Sequence, residues 1–158
     1  MESIKHVRQW IKKDAHCIGI DLKDAFLHVP ICDNFHKFLK FMWLGQLYKW
    51  IVLPFGFRFS PCILTKVLKP AISYLRVTFA MLITIYLDDM LIQAQSAEGV
   101  YLHGQITALV LMLLGWSLNW EKSNFIPSQQ FTHLGFDWNI SSMVISCPPA
   151  KILRLQEI

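Results

Sequence analysis

The stretch Thr84-Ile85-Tyr86-Leu87-Asp88-Asp89-Met90-Leu91-Ile92 constrains this chain more than any other, because it sets two adjacent carboxylates between apolar, strand-forming flanks. Strand formers on both sides of an acidic pair predict a tight hairpin with the acids at its tip. A carboxylate withdrawn from water needs a cation or hydrogen-bond donors. Two readings are therefore open at this stage. Either the turn is solvated and its acids are idle, or they form part of a divalent-ion site completed by a carboxylate from elsewhere.

The chain has 158 residues, enough for one domain with a sizeable core. Hydrophobic residues make up 54% and charged residues 16%, more apolar than a typical soluble domain. That balance predicts apolar surface left for a partner or for another part of a larger protein. The runs Phe79 to Ile85 and Thr107 to Trp116 are too short to span a membrane. Lys5, His6, Arg8, Lys12 and Lys13 lead into no long apolar stretch, so an intracellular chain without a membrane segment is expected. Cys17, Cys32, Cys62 and Cys147 are widely spaced and predict neither a zinc site nor a disulfide framework. The formal net charge of +4 is compatible with a polyanionic partner without requiring one.

Apolar periodicity predicts an amphipathic helix from Ser3 to Asp14, with Ile4, Val7, Trp10 and Ile11 on one face, and a buried strand from His16 to Leu22. Phe35 to Leu44 and Leu47 to Leu53 are strand candidates joined at Gly45-Gln46. A ring-rich loop, Leu53 to Pro61, precedes a helix capped by Ser60 and running to about Leu75, with a kink or early end expected at Pro70. Ile63, Leu64, Val67, Leu68, Ile72 and Leu75 are its expected inward residues. Ser96 is expected to cap a second long helix, Ala97 to Leu114, whose core stripe is read as Ile106, Leu109, Val110, Leu113 and Leu114. Trp116 to Trp120 reads as extended. Phe131 to Trp138 and Met143 to Cys147 form a last hairpin around Asn139 to Ser142, and Ala150 to Ile158 begins a further helix. Strands in hairpins with helices between them predict an α+β fold, with helices against one face of a mostly antiparallel sheet. If the strand ending at Asp21 neighbours the Asp88-Asp89 hairpin, three carboxylates converge at one rim. Hard oxygen ligands of that kind suit Mg2+.

The residues then carry a resemblance. Asp21-Leu22-Lys23-Asp24-Ala25-Phe26, Leu53-Pro54-Phe55-Gly56 with Ser60-Pro61, Tyr86-Leu87-Asp88-Asp89, Asn119-Trp120-Glu121-Lys122-Ser123 and His133-Leu134-Gly135-Phe136 look like five successive signatures of reverse transcriptases. Their wording is most similar to retrotransposon enzymes, the DIRS-like group first and the Ty3/gypsy and pararetrovirus enzymes next. The resemblance implies a polymerase palm with partial fingers over 1–149 and the start of a thumb over 150–158. It implies RNA-directed DNA synthesis by two-metal nucleotidyl transfer to a primer 3′-hydroxyl, with two Mg2+ ions for which Mn2+ can substitute. Its partners would be an RNA or DNA template with primer and deoxynucleoside triphosphates. The parent would be a larger polyprotein with a thumb and often a ribonuclease H domain. A catalytically inactive nucleic-acid-binding remnant is the alternative.

By the same resemblance Asp21 and Asp88 are the principal metal ligands, with Asp89 in support and the Leu22 carbonyl as a further ligand. Phe26 is the ring that excludes a ribose hydroxyl, against the plainer reading of a core Phe. Phe55 and Gly56 form the floor under the nucleotide and template base. Arg58 either reaches template phosphate or faces solvent. Lys122 either places charge at the leaving pyrophosphate or pairs with Glu121 on the surface. Tyr86, Leu134, Gly135 and Phe136 contact the primer end. Asp24 is not expected to bind metal, and His28, His103 and His133 are expected to be structural.

Overall fold

A computed structural model describes residues 2–149 and 151. Its centre is a four-stranded antiparallel sheet in the order β4-β5-β1-β6, built from β1 (His16–Asp21), β4 (Leu82–Tyr86), β5 (Asp89–Ala94) and β6 (Asn124–Ser128). The period of two along β1 sends Ile18 and Ile20 to one face and Cys17, Gly19 and Asp21 to the other. The first face packs on the two long helices, α3 (Ser60–Thr78) and α4 (Ala97–Leu113), through Ile83, Met90 and Ile92 against Leu64, Leu68, Ile72, Leu75, Val100 and Leu111. The second face carries a smaller cluster, where Cys17 and Leu91 meet Val7 of α1 (Ile4–Trp10) together with Trp138 and Ile140. An α+β fold with its long helices on one face is therefore what the chain adopts.

A three-stranded antiparallel sheet of β7 (Gln130–His133), β8 (Phe136–Asn139) and β9 (Val144–Ser146) lies over that second face. A hairpin of β2 (Lys40–Trp43) and β3 (Gln46–Lys49) is exposed at every residue. One helical turn, α2 (Asp33–His36), precedes it.

Several boundaries differ from expectation for identifiable reasons. Phe35 to Leu44 is not one strand, because Asp33–His36 closes a helical turn first. The β2-β3 turn is Leu44-Gly45, one residue earlier than read, and both residues have positive φ (47° and 78°), as a two-residue hairpin turn of right-handed twist requires. Ser60 does not cap α3. Its hydroxyl donates to the Pro54 carbonyl at 2.7 Å, fastening the ring-rich loop to the helix start. The helix passes Pro70, which is solvent-exposed, and continues to Thr78; Val67, read as inward, is exposed.

On α4 the buried residues are Val100, Gly104, Thr107, Ala108 and Leu111, whereas Leu109, Leu113 and Leu114 face solvent. The helix is apolar nearly all round, so its composition does not mark the inward face. Ser96 caps it as expected, accepting from Gly99 N–H at 3.0 Å. The strand β6 was not anticipated, since Asn124, Ser128 and Pro127 disguise it; it is an edge strand, where Pro is tolerated. Phe131 to Trp138, read as one strand, folds back on itself at Leu134-Gly135. The helix expected over Ala150 to Ile158 falls largely outside the described residues. Among the described residues no helix is long and apolar enough to cross a membrane.

Candidate active site

The end of β1 and the turn between β4 and β5 come together because β1 pairs with β5 along its whole length, placing Asp21 opposite Asp89. Leu87 and Asp88 form the two-residue turn, with Leu87 at φ 59°. Asp89 is not at the tip but is the first residue of β5. Leu22 N–H donates to the Asp88 carbonyl at 3.0 Å, which locks the acidic turn against the end of β1.

Asp21 and Asp88 line one cavity of about 480 Å3, together with Leu22, Phe26, Phe55, Asn119 and Lys122. Asp89 instead faces a second cavity of about 250 Å3 on the sheet face turned away from α3 and α4, shared with Asp21, Lys122 and His133. The three carboxylates thus meet at one rim, but Asp21 alone of them borders both spaces. Among the described residues no three His, Cys, Asp or Glu side chains gather closely enough to hold a metal by themselves.

Burial raises the Asp21 carboxyl above the ordinary value of 3.8, and the negative charge of Asp88 raises it further, with a smaller push from Asp89. The Lys122 ammonium and a side-chain hydrogen bond with Asn119 act in the opposite direction. Around it, Asp21 N–H donates to the Ser123 hydroxyl at 3.0 Å, and Asn119 N–H donates to the Asp21 carbonyl at 2.8 Å. The segment Asn119 to Ser123 therefore clasps the strand end from the side opposite β5. Lys122 is a candidate from the sequence, whereas Asn119 and Ser123 stand there only within its signature. Their role is in long-range contacts with Asp21, through the Ser123 hydroxyl and through both the backbone and the side chain of Asn119, that no spacing rule marks.

Phe26 sits on a single 3-10 turn, Ala25–His28, whose entry residue Asp24 adopts a left-handed conformation. Its ring meets Phe55 edge-on, with centroids 5.2 Å apart and planes at 72°. His28 fixes the same turn: its imidazole contacts the Asp24 carbonyl and the Ser117 hydroxyl at 3.1 and 3.2 Å and lies against Trp116.

The remaining expected residues lie outside this cavity. Gly56 provides the turn after Phe55 with φ 78°. Arg58 lies over the Phe59 ring at 5.8 Å and lines a separate groove along α3. Tyr86 is half-buried on β4, paired in register with Asp89. Leu134 and Gly135 form the β7-β8 turn, both at positive φ (51° and 75°), with Phe136 following. The Gly135 carbonyl accepts from Lys151 Nζ at 2.9 Å, an approach that a side chain at Gly135 would obstruct. His133, expected to be structural, places Nδ1 3.2 Å from Asp89 Oδ2 while nearly fully buried.

Residues 1–138 match the profile of the family described as Reverse transcriptase (RNA-dependent DNA polymerase). The chain is 31% identical over 121 residues to a Gag-Pro-Pol polyprotein of bovine leukemia virus, covering 72% of this chain and 8% of that protein. It is 30% identical over 122 residues to that of human T-cell leukemia virus 2, with the same 72% and 8% coverage. The chain thus spans under a tenth of these curated relatives. Among solved structures, a foamy viral protease-reverse transcriptase in complex with double-stranded DNA has a similar fold, with TM-score 0.77 at 22% identity, over 94% of this chain and 25% of that one. The foamy viral enzyme in complex with an RNA/DNA hybrid superposes with TM-score 0.73 at 23% identity, over 90% and 18%. The profile match covers most of the chain, including every element that builds the cavity around Asp21 and Asp88: the chain belongs to the reverse transcriptase (RNA-dependent DNA polymerase) family.

Proposed function

We propose that this chain is the palm, with part of the fingers, of an RNA-directed DNA polymerase that extends a primer by nucleotidyl transfer. The observation that carries the reading is the register of β1 against β5, which brings Asp21 and Asp88 into one cavity with Phe26, Phe55 and Lys122. Crowded carboxylates, with the Asp21 carboxyl raised by burial and by its acidic neighbours, suit a hard cation. Two carboxylates are enough protein ligands for Mg2+, which usually takes the rest of its shell from water and substrate phosphates. Asp21, Asp88 and the Leu22 carbonyl would hold it, with Asp89 in support. Bound Mg2+, or Mn2+ in its place, supplies charge neutralisation for attack of a primer 3′-hydroxyl on the α-phosphate and for departure of pyrophosphate.

The chain's own residues do the positioning. Phe26, braced by Phe55, closes one wall where the sugar of an incoming nucleotide would lie. Lys122, bordering both cavities, offers a cation to phosphate oxygens. The floor at Phe55-Gly56 receives base and template, Arg58 reaches template phosphate from outside the cavity, and Tyr86 with Leu134-Gly135-Phe136 contacts the primer end. A template of RNA or DNA, a primer and deoxynucleoside triphosphates are the substrates, inside the cell, within a longer polyprotein carrying a thumb and ribonuclease H. The wording of the five signatures favours a retrotransposon parent of the DIRS-like or Ty3/gypsy kind, while the relatives named above are retroviral.

Primer extension on an RNA template with Mg2+ tests the reading. Extension by the chain, abolished in Asp88→Asn with folding intact, supports it. Binding of primer–template without any extension would support an inactive binding remnant instead.

A further inference from the structure

We propose that His133 is a positioning residue, which links the Leu134-Gly135 hairpin to the acidic turn by holding the Asp89 carboxylate. The inference rests on the polymerase reading above and adds to it a mechanical coupling between the primer-contacting hairpin and the acids.

His133 ends β7, immediately before the Leu134-Gly135 turn. Its ring projects into the trough between the two sheets, with Nδ1 3.2 Å from Asp89 Oδ2; its side chain is 4% exposed and that of Asp89 36%. Gly19 on the floor of the trough presents no side chain, between the buried Cys17 and Leu91. One contact therefore spans from the upper sheet to the lower. The histidine cannot drift independently of its hairpin. Its carbonyl accepts from the Trp138 indole N–H at 3.1 Å, and the buried Trp138 stacks parallel to Phe131 of β7, at 6.3 Å and 8°. A shift of the hairpin moves the imidazole with it.

Asp89 is equally fixed at its backbone, paired in register with both Asp21 and Tyr86. Only its side chain is free to turn. A purely structural filler at this buried site would be apolar, since an imidazole without a partner is costly there. This carboxylate is the polar group that Nδ1 faces, and it lies in the trough rather than in the cavity that Asp21 shares with Asp88. Seating a primer end on the hairpin then sets how Asp89 is presented.

Two arms on the full chain test this. In the first, the ring nitrogens of His133 are followed by 15N NMR at fixed pH while a recessed primer–template is added in EDTA. The Nδ1 signal should move on binding in the wild type and not in Asp89→Asn. In the second, His133→Phe keeps a ring and loses the nitrogen, while His133→Asn keeps an N–H donor near the Nδ1 position. His133→Phe should lower kcat for extension about tenfold, the effect of removing a group that orients a ligand side chain, with the nucleotide KM unchanged. His133→Asn should recover most of that loss. An Nδ1 signal that ignores primer–template, or that moves equally in Asp89→Asn, would overturn the coupling, as would equal kcat in the two His133 variants. If His133→Phe does not fold, the NMR arm decides alone. A wild-type chain that binds no primer–template overturns the polymerase reading as well. Binding and extension with normal kcat in His133→Phe overturn only this inference.

Discussion

Asp21 stands directly opposite Asp89 in the pairing of β1 with β5, on the face of the sheet that α3 and α4 leave free. Directly opposed residues in an antiparallel pair share a face at close range, and like charges there repel. Burial first, then the negative charge of Asp88, with only a small push from Asp89, make the folded chain hold the Asp21 proton more tightly than the unfolded chain. Stability must fall as pH rises above the ordinary carboxylate value of 3.8 and stay lowered beyond the raised one. Asp21→Asn should accordingly raise Tm in EDTA at pH 7, the gain fading toward pH 4. Mg2+ should narrow the gap by stabilising the wild type alone. Calorimetry at the two pH values decides, and an unchanged Tm at pH 7 would contradict the repulsion.

The Phe26 ring meets Phe55 edge-on at the cavity wall. Replacing Phe26 with Val removes volume next to the expected 2′-position without adding a polar group. Discrimination against ribonucleotides, read as the ratio of kcat/KM values, should drop by roughly tenfold or more. Unchanged sugar selectivity would make Phe26 an ordinary wall residue.

Gly104 of α4 sits where a Cβ would lie 2.0 Å from Ile18 Cδ1. Ile18 is fully buried between helix and sheet, so turning its Cδ1 aside disturbs the side chains packed around it. Gly104→Ala gains about 1 kcal/mol of helix propensity but suffers overpacking of about 1–3 kcal/mol. A net loss of about 1 kcal/mol in urea unfolding is expected, recovered when Ile18→Val is added. If the single variant is more stable than wild type, α4 does not press on β1 as described.

The outer edge of β4 is closed by side chains. Arg76 donates to the Ile83 carbonyl at 3.1 and 2.5 Å and to Glu2 at 2.7 Å, while Glu2 accepts from Ile85 N–H at 2.8 Å. Arg76→Ala leaves that edge unsatisfied. It should cost about 1 kcal/mol and raise the tendency to aggregate through edge pairing. Light scattering on heating, alongside the unfolding curve, is the check.

His103 is half-buried in α4 with Nδ1 unpartnered, and burial lowers its pKa below 6.5. The folded state disfavours its protonation, so stability is lost as pH falls through 6.5, where the unfolded chain takes up the proton first. His103→Gln should flatten the decline in Tm between pH 7.5 and 5.5. A decline as steep as in the wild type would place its origin elsewhere.

Much of this was legible in the residues themselves. The run from His16 to Asp21, the acidic turn, the cap at Ser96 and the inward Leu64, Leu68, Ile72 and Leu75 follow from short-range pattern, because each is decided within a few residues. Other features were not. The sequence does not mark the inward face of α4, because Leu109, Leu113 and Leu114 are as apolar as the residues that pack. The edge strand β6 was hidden by Asn124 and Pro127, and the turn at Leu134-Gly135 by the apolar residues around it.

The sequence alone determined the chemistry available: Asp21, the Asp88-Asp89 pair, Phe26 and Lys122, set in apolar strands and loops whose signatures name the family. Only the tertiary structure decided how those groups divide. With a side-chain period of two, the β1-β5 register turns Asp21 and Asp89 to the same face, while the two-residue turn sends Asp88 into the neighbouring cavity. That register also left Asp89 within reach of His133, contributed by a strand far along the chain. Cross-strand pairing is a long-range choice among registers, and no local residue pattern encodes which side chain will be waiting on the other side.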